Sequence, residues 1–247
     1  MSMKRKLKNV NINDKYTLRF GVRGKFMTVE EVIGTLFQGE DQQLIQSLIS
    51  ISSMKQYKKG QDIYECGIEP KEFYILISGI AYTYLPDANQ QPNTTCFFSE
   101  KFDLLNIEGI DVKTRVGAKA LVDAEICMIP VEQAKALSGR YPSLIWSYIR
   151  ELQKMMMYLC VVNNQRMCLP AEDCYRWFCQ KWPKIDKLAS NQQIASFLRI
   201  RPESLSRLRR QIKENEKDNK VITNILVSKD LQSDYLDIRK YGKKHQL

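Results

Sequence analysis

The spacing of apolar positions changes three times along this chain. Val29, Val32, Ile33 and Leu36, then Leu44, Ile45 and Leu48, recur at helical intervals and predict two short helices over 28–37 and 41–51. From Met54 the pattern shifts to short alternating runs punctuated by Gly60, Gly67 and Gly79, which predicts strands. Residues 72–84 are rich in aromatic and β-branched side chains, as a half-buried sheet requires. Residues 86–92 read as a loop, 94–98 as the returning strand, and further strands are predicted near 116–122 and 125–129. Tyr82 and Tyr84 alternate with Ala81 and Thr83, so they share one sheet face and suit packing inside a barrel. Several short antiparallel strands at this spacing predict a small barrel or jelly roll.

The period changes again at Pro142. Ile145, Tyr148, Leu152, Met155, Leu159 and Val162 follow one another at intervals of three, four, three, four and three, a coiled-coil seam. Ile149, Met156 and Cys160 form a second stripe on an adjacent face. A helix with two apolar stripes must be covered twice, and the expected covers are the barrel and a second copy of the same helix. The first seam is assigned to the homodimer. Pro170 ends this helix, and 171–180 reads as another on Tyr175, Trp177 and Phe178, followed by a short link at Trp182 and Pro183.

The third change yields the most specific element, two short helices joined by a tight turn over 190–213. Ser190 with Gln193 three residues on is a capping-box pairing. Ile194, Ala195 and Leu198 supply a buried stripe, with the small Ala195 suited to a close helix crossing. Residues 199–201 make the turn, and Pro202 opens the second helix, where a missing amide costs nothing. Leu205, Leu208 and Ile212 form its inward face, leaving Glu203, Ser206, Arg207, Arg210 and Lys213 pointing elsewhere. A helix offering Glu, Ser and Arg outward suits a DNA major groove, where Arg reads guanine and Glu accepts from the cytosine amine. The reading is a helix-turn-helix whose partner is double-stranded DNA.

Charge distribution agrees. The 247 residues carry a net +10, but 1–25 hold +7 and 181–220 hold +6, whereas 26–180 hold −5. A mildly acidic body with a basic reading head and basic ends fits one surface meeting phosphate. The seven cysteines include no Cys-x-x-Cys, and the lone histidine is His245, so metal and cluster ligation by the usual spacings are unsupported. No cofactor is implied. Cys168, Cys174 and Cys179 cluster in sequence, but their apolar neighbours favour inert thiols over redox sensing. No apolar run approaches the roughly 20 residues a membrane span needs, and the basic start leads into polar sequence, not a secretion signal. The expectation is a cytoplasmic protein that does not touch membrane. Nor does any Gly-x-Ser-x-Gly or phosphate loop point to an enzyme.

In this order, barrel, long helix and helix-turn-helix, the chain resembles the Crp/Fnr family of bacterial regulators. Lys-Gly-Gln-Asp-Ile-Tyr-Glu-Cys-Gly at 59–67 and Phe-Tyr-Ile-Leu-Ile-Ser-Gly at 73–79 resemble that family's opening barrel strands. Ala-Glu-Asp-Cys-Tyr-Arg-Trp-Phe at 171–178, and Ile-Ala-Ser-Phe-Leu-Arg-Ile-Arg-Pro-Glu-Ser-Leu-Ser-Arg-Leu-Arg-Arg at 194–210, are similar to the branch common among Bacteroidetes. The resemblance implies an α+β chain: a basic arm at 1–27, a double-stranded β-helix (jelly-roll) sensor domain at 28–141, a dimerisation helix at 142–167, and a helix-turn-helix domain with a C-terminal extension at 168–247. It implies a homodimeric transcription regulator on a palindromic operator, working with RNA polymerase, with a small-molecule effector as an alternative source of control.

By position, Glu203 and Arg207 match the family's base-reading pair and Ser204 a phosphate contact. Arg201, Arg209, Arg210 and Lys213 are assigned to the phosphate backbone, and Gln192 joins the DNA-facing set. Two departures stand out. Arg199 occupies the turn position that the family gives to glycine, so a left-handed residue there costs roughly 1 kcal/mol. Arg201 stands where a hydroxyl cap is usual. The ligand pocket departs further. Phe-Asp-Leu-Leu-Asn-Ile-Glu-Gly at 102–109 lacks the family's Gly-Glu order, and Arg115 falls one residue off the register of its phosphate-binding arginine. A one-residue slip turns a strand side chain to the opposite face, so no response to cyclic AMP is expected.

Overall fold

The computed structural model describes residues 27–88 and 91–218, with side chains to Glu214. The basic arm and the 221–227 segment, read from sequence as a potential strand, lie outside the described residues. The chain divides into two units, one running to Asn163 and one from Asn164.

The first unit opens with α1 (Val29–Leu36), capped reciprocally by Thr28 and Glu31, and α2 (Gln42–Ile51), where the Asp41 carboxylate accepts from the Gln43 and Leu44 amides. Seven strands follow: β1 (Ser53–Tyr57), β2 (Asp62–Tyr64), β3 (Glu72–Ser78), β4 (Ala81–Pro86), β5 (Pro92–Phe98), β6 (Gly117–Ala120) and β7 (Ala124–Pro130). They pair antiparallel in two sheets, β1-β7-β3 and β2-β6-β4-β5, the two-sheet arrangement of a jelly roll. The tight β3–β4 turn depends on Gly79. Its φ is +94°, and a Cβ there would lie 2.4 Å from the Asp123 carbonyl oxygen.

One core fills the space between the sheets, with Tyr64, Leu76, Phe98, Leu105 and Ile126 among its members. A second lies under the helices, joining Val32, Ile33, Leu44 and Leu48 to Ile75, Cys127 and Ile129. Tyr82 is buried against Phe97, ring centres 6.3 Å apart, and Tyr84 donates to Asp62 at 3.0 Å. Asn106 replaces a missing strand neighbour: its Oδ1 accepts from the Tyr74 amide and its Nδ2 donates to the Glu72 carbonyl.

Beyond β7 the chain forms α3 (Val131–Arg140) and the long α4 (Ser143–Cys168). The first of these was not foreseen. Its only core-facing residues are Val131, Ala134 and Leu137, and no side chain caps it.

The second unit holds α5 (Ala171–Lys181), α6 (Pro183–Leu188), α7 (Asn191–Leu198) and α8 (Pro202–Asp218). Its core is aromatic. Trp182 meets Trp177 edge-on at 5.4 Å and Phe197 edge-on at 5.4 Å, while Phe178 sits 5.5 Å from both Trp182 and Phe197. The link expected after Trp182 is itself helical: Pro183 starts α6 at its first position and Ile185 is buried.

Candidate nucleic-acid interface

Two ends of α7 fix how α8 is presented. At its start the Ser190 hydroxyl accepts from the Gln193 amide (3.1 Å) and the Gln193 side chain accepts from the Ser190 amide (2.8 Å), so two orphan donors are satisfied. At its end Arg199 adopts the left-handed conformation, φ 58° and ψ 38°. The Ile200 amide then reaches back to the Ala195 carbonyl at 3.0 Å, and the Arg199 amide reaches the Ser196 carbonyl at 3.1 Å. This is the helix stop that glycine makes most cheaply, so the steric cost expected for Arg199 is present. Ile194, Ala195, Phe197 and Leu198 are all buried, and α7 is therefore held firmly.

From this turn α8 begins at Pro202, with Leu205 buried and Leu208 half-buried. Glu203 and Arg207 are exposed and four residues apart, which puts them on one face. Arg201, Ser206, Arg210, Lys213 and Gln192 are also exposed, and Ser204 is half-buried. Arg210 lies 3.9 Å from Glu214. Ser206 is drawn inward by its bonds, accepting from Asn191 Nδ2 at 2.9 Å and donating to the Pro202 carbonyl at 3.1 Å.

Arg209 departs from its assignment to phosphate. Its guanidinium is committed inside the unit: Nη2 to Asp186 Oδ1 at 2.6 Å, Nε to Tyr175 Oη at 3.0 Å, and Nη1 to Asn191 Oδ1 at 2.9 Å. Tyr175 in turn donates to Asp186 at 3.0 Å. A planar fork with three acceptors in place is a structural tie. Sequence reasoning also missed Asn191, which besides binding Arg209 donates to the Pro202 carbonyl at 2.9 Å and so clamps the start of α8. Its position just after a cap gave no signal for this.

The seam assigned to a second copy is largely spent within the chain. Met155 and Leu159 pack on the barrel core, Tyr148 packs on the core under the helices, Val162 is buried and Leu152 half-buried; of the set only Ile145 is exposed. The outward apolar residues are Trp146 (63 % exposed), Met156 (58 %), Met157 and Cys160, beside the half-buried Ile149. At about 100° per residue these lie roughly a third of a turn round the helix from the barrel-facing set. Periodicity finds both stripes but cannot say which one the barrel claims.

Burial raises the Cys174 and Cys179 thiols above the ordinary range, which leaves little thiolate for redox chemistry, while Cys168 is exposed. Among the described residues no group of acidic, Cys or His side chains could hold a metal ion, and no helix is long and apolar enough to cross a membrane.

No protein-family model matches the chain, and no curated protein matches it. Solved structures do. A protein of Eubacterium rectale assigned to the Crp/Fnr family of transcriptional regulators superposes with a TM-score of 0.63 at 15 % identity, over 73 % of this chain and 87 % of its own. The c-di-GMP-responsive global regulator CLP of Xanthomonas campestris gives 0.58 at 16 % identity, over 71 % and 93 %. FixK2 of Bradyrhizobium japonicum gives 0.57 at 14 %, over 67 % and 86 %. With its two-sheet barrel, long helix and capped helix-turn-helix, the chain has the fold of the Crp/Fnr regulators.

Proposed function

We propose that the protein is a homodimeric, sequence-specific DNA-binding regulator of transcription, not an enzyme. Glu203 and Arg207, exposed together on the leading turns of a helix whose partner is capped and buried, carry this reading. Glu203 and Arg207 read base edges with Gln192 beside them on the DNA-facing surface, and Arg201, Ser204, Arg210 and Lys213 hold phosphates. Pairing through the outward stripe of α4 supplies two reading heads, and a two-fold protein demands a palindromic site with half-sites about one helical turn apart. RNA polymerase is the downstream partner, and the cytoplasm the compartment.

The test is selection of bound duplexes from a randomised pool by the full chain. A pseudo-palindrome is expected; enrichment of no sequence would overturn the reading. Cyclic AMP plays no part in this control. Calorimetry with the nucleotide should show no binding, and micromolar affinity would contradict that.

A cavity of about 360 Å³ in the first unit supports a second reading, in which an apolar effector sets activity. Phe37, Phe73, Phe102 and Tyr148 line it, and its volume lies within the range of small-molecule sites. A metabolite screen by thermal shift tests this, with no stabilising compound as the contrary result.

A further inference from the structure

Between β5 and β6 the chain makes a long excursion and closes on itself at Glu108. Four donor atoms from three consecutive residues surround that one carboxylate. Oε2 lies 2.9 Å from the Thr114 hydroxyl, 2.5 Å from the Arg115 amide and 3.3 Å from the Val116 amide. Oε1 accepts from Arg115 Nε at 3.0 Å. The Thr114 hydroxyl proton is shared between Glu108 and the Val116 carbonyl, 2.7 Å away.

The donors are fixed by the surrounding fold. Thr114 and Val116 are buried, the Thr114 amide donates to the Ile68 carbonyl at 2.8 Å, and the Gly67 amide donates to the Thr114 carbonyl at 2.6 Å. The Arg115 side chain is 85 % exposed while that of Glu108 is only 19 % exposed. An ion pair with one partner in solvent contributes little. The burial is therefore carried by the backbone amides and the hydroxyl, and these are the groups that form an oxyanion seat in proteins: successive N–H donors in a concave turn with a charged donor at the rim. Their bonds hold the Glu108 carboxyl below its ordinary range although burial alone would raise it.

We propose that residues 114–116 form an oxyanion seat that the chain fills with its own carboxylate, so that Glu108 stands in for an external carboxylate or phosphate and holds the 99–116 excursion in one arrangement without added ligand. The seat belongs to the barrel, and the inference is independent of the DNA-reading proposal. An anion arriving from solution would have to displace a tethered one, which is present at high effective concentration.

Thermal unfolding of the full chain, wild type against Glu108→Ala, tests this with sodium acetate and inorganic phosphate as probes and chloride at matched ionic strength as the control. Glu108→Ala should melt about 3–6 °C below wild type and recover saturably with acetate or phosphate, while wild type responds to neither beyond chloride. Recovery by acetate alone marks a carboxylate seat, and recovery by phosphate as well marks a general oxyanion seat. Both support the proposal. An unchanged melting point, or a variant that responds no more than wild type, would overturn it. Should Glu108→Ala fail to fold, NMR titration of the Glu108 side chain in wild type decides: a midpoint below the ordinary carboxylate range supports the seat, and an ordinary midpoint refutes it.

Discussion

Arg209 and Asp186 are joined by an ion pair of 2.6 Å, with their side chains 27 % and 25 % exposed, and this contact ties α8 to α6. Tyr175 and Asn191 fill the remaining positions of the guanidinium fork, so one side chain fastens α5, α6, α7 and α8 together. Arg209→Ala should destabilise the second unit by about 1.5–3 kcal/mol, the range for hydrogen bonds to charged groups left unmade. Arg209→Lys should recover little of this, because one ammonium cannot serve three acceptors set for a planar fork. Urea unfolding followed by tryptophan fluorescence reports on it, since Trp177 and Trp182 sit in the same unit. A lysine variant as stable as wild type would refute the tie.

Arg207 and Arg210 should separate base reading from phosphate binding. Both are exposed on α8, and Arg210 lies 3.9 Å from the Glu214 carboxylate. Arg207→Ala is expected to cost about 1–3 kcal/mol at the cognate site and to relax base choice there. Arg210→Ala should weaken every duplex alike and reduce the salt slope by about one. Fluorescence anisotropy on cognate and scrambled duplexes across a salt series distinguishes them. If both variants lose affinity equally on the two duplexes, Arg207 does not read a base.

Arg199 holds a left-handed conformation that costs a side chain roughly 1 kcal/mol and glycine nothing. Arg199→Gly should therefore raise the melting temperature of the second unit by a few degrees. It also removes an exposed cation beside the reading helix, so affinity for all duplexes should fall at low salt. A gain in stability with unchanged affinity would mean that the arginine contacts no phosphate.

How much of this was legible in the sequence depends on the range of the forces involved. The capping box at Ser190 and Gln193 and the Pro202 start are local signals, and the structure contains both. The half-buried sheet expected over 72–84 is not what forms in β3: Tyr74 to Ile77 are buried in succession, because one face meets the core between the sheets and the other the core under the helices. The α6 helix escaped notice because six residues with one buried side chain hold less than two turns of periodicity. The role of Arg209 was hidden for a different reason: its partner Asp186 lies 23 residues away, and an arginine on the polar side of a helix looks the same whether it faces DNA or a carboxylate. The same holds for Glu108, whose four donors are assembled by chain closure.

Asp103 gives the barrel a pH dependence. Burial, with the Glu100 and Glu151 charges nearby, pushes its carboxyl up to about 7, although the Glu100 amide, 3.0 Å from Oδ2, favours the ionised form. The folded state thus keeps a proton that the unfolded chain releases near the ordinary value of 3.8. Stability contributed by this group is full below that value, falls as pH rises towards 7, and is level above. Asp103→Asn retains an acceptor for the Glu100 amide and removes the titration. Its stability relative to wild type should rise between pH 4 and pH 7, measured by urea unfolding at fixed ionic strength. A difference independent of pH would show that Asp103 ionises normally.

Met156 and Leu159 sit three residues apart on α4 and should fail in opposite ways when made acidic. Met156 is 58 % exposed on the outward stripe, whereas Leu159 packs on the barrel core. Burying a methionine between two copies is worth about 1.5–3 kcal/mol per side chain, and a two-fold contact counts it twice. Met156→Glu replaces that gain with two carboxylates brought face to face. The variant should run as a monomer by light scattering, with a folded barrel whose melting temperature no longer depends on protein concentration and an affinity for a palindrome reduced to that for a single half-site. Leu159→Glu should instead lower the melting temperature of the barrel, because it buries a charge without a partner. A Met156→Glu protein that stays dimeric at micromolar concentration would place the interface elsewhere on the chain.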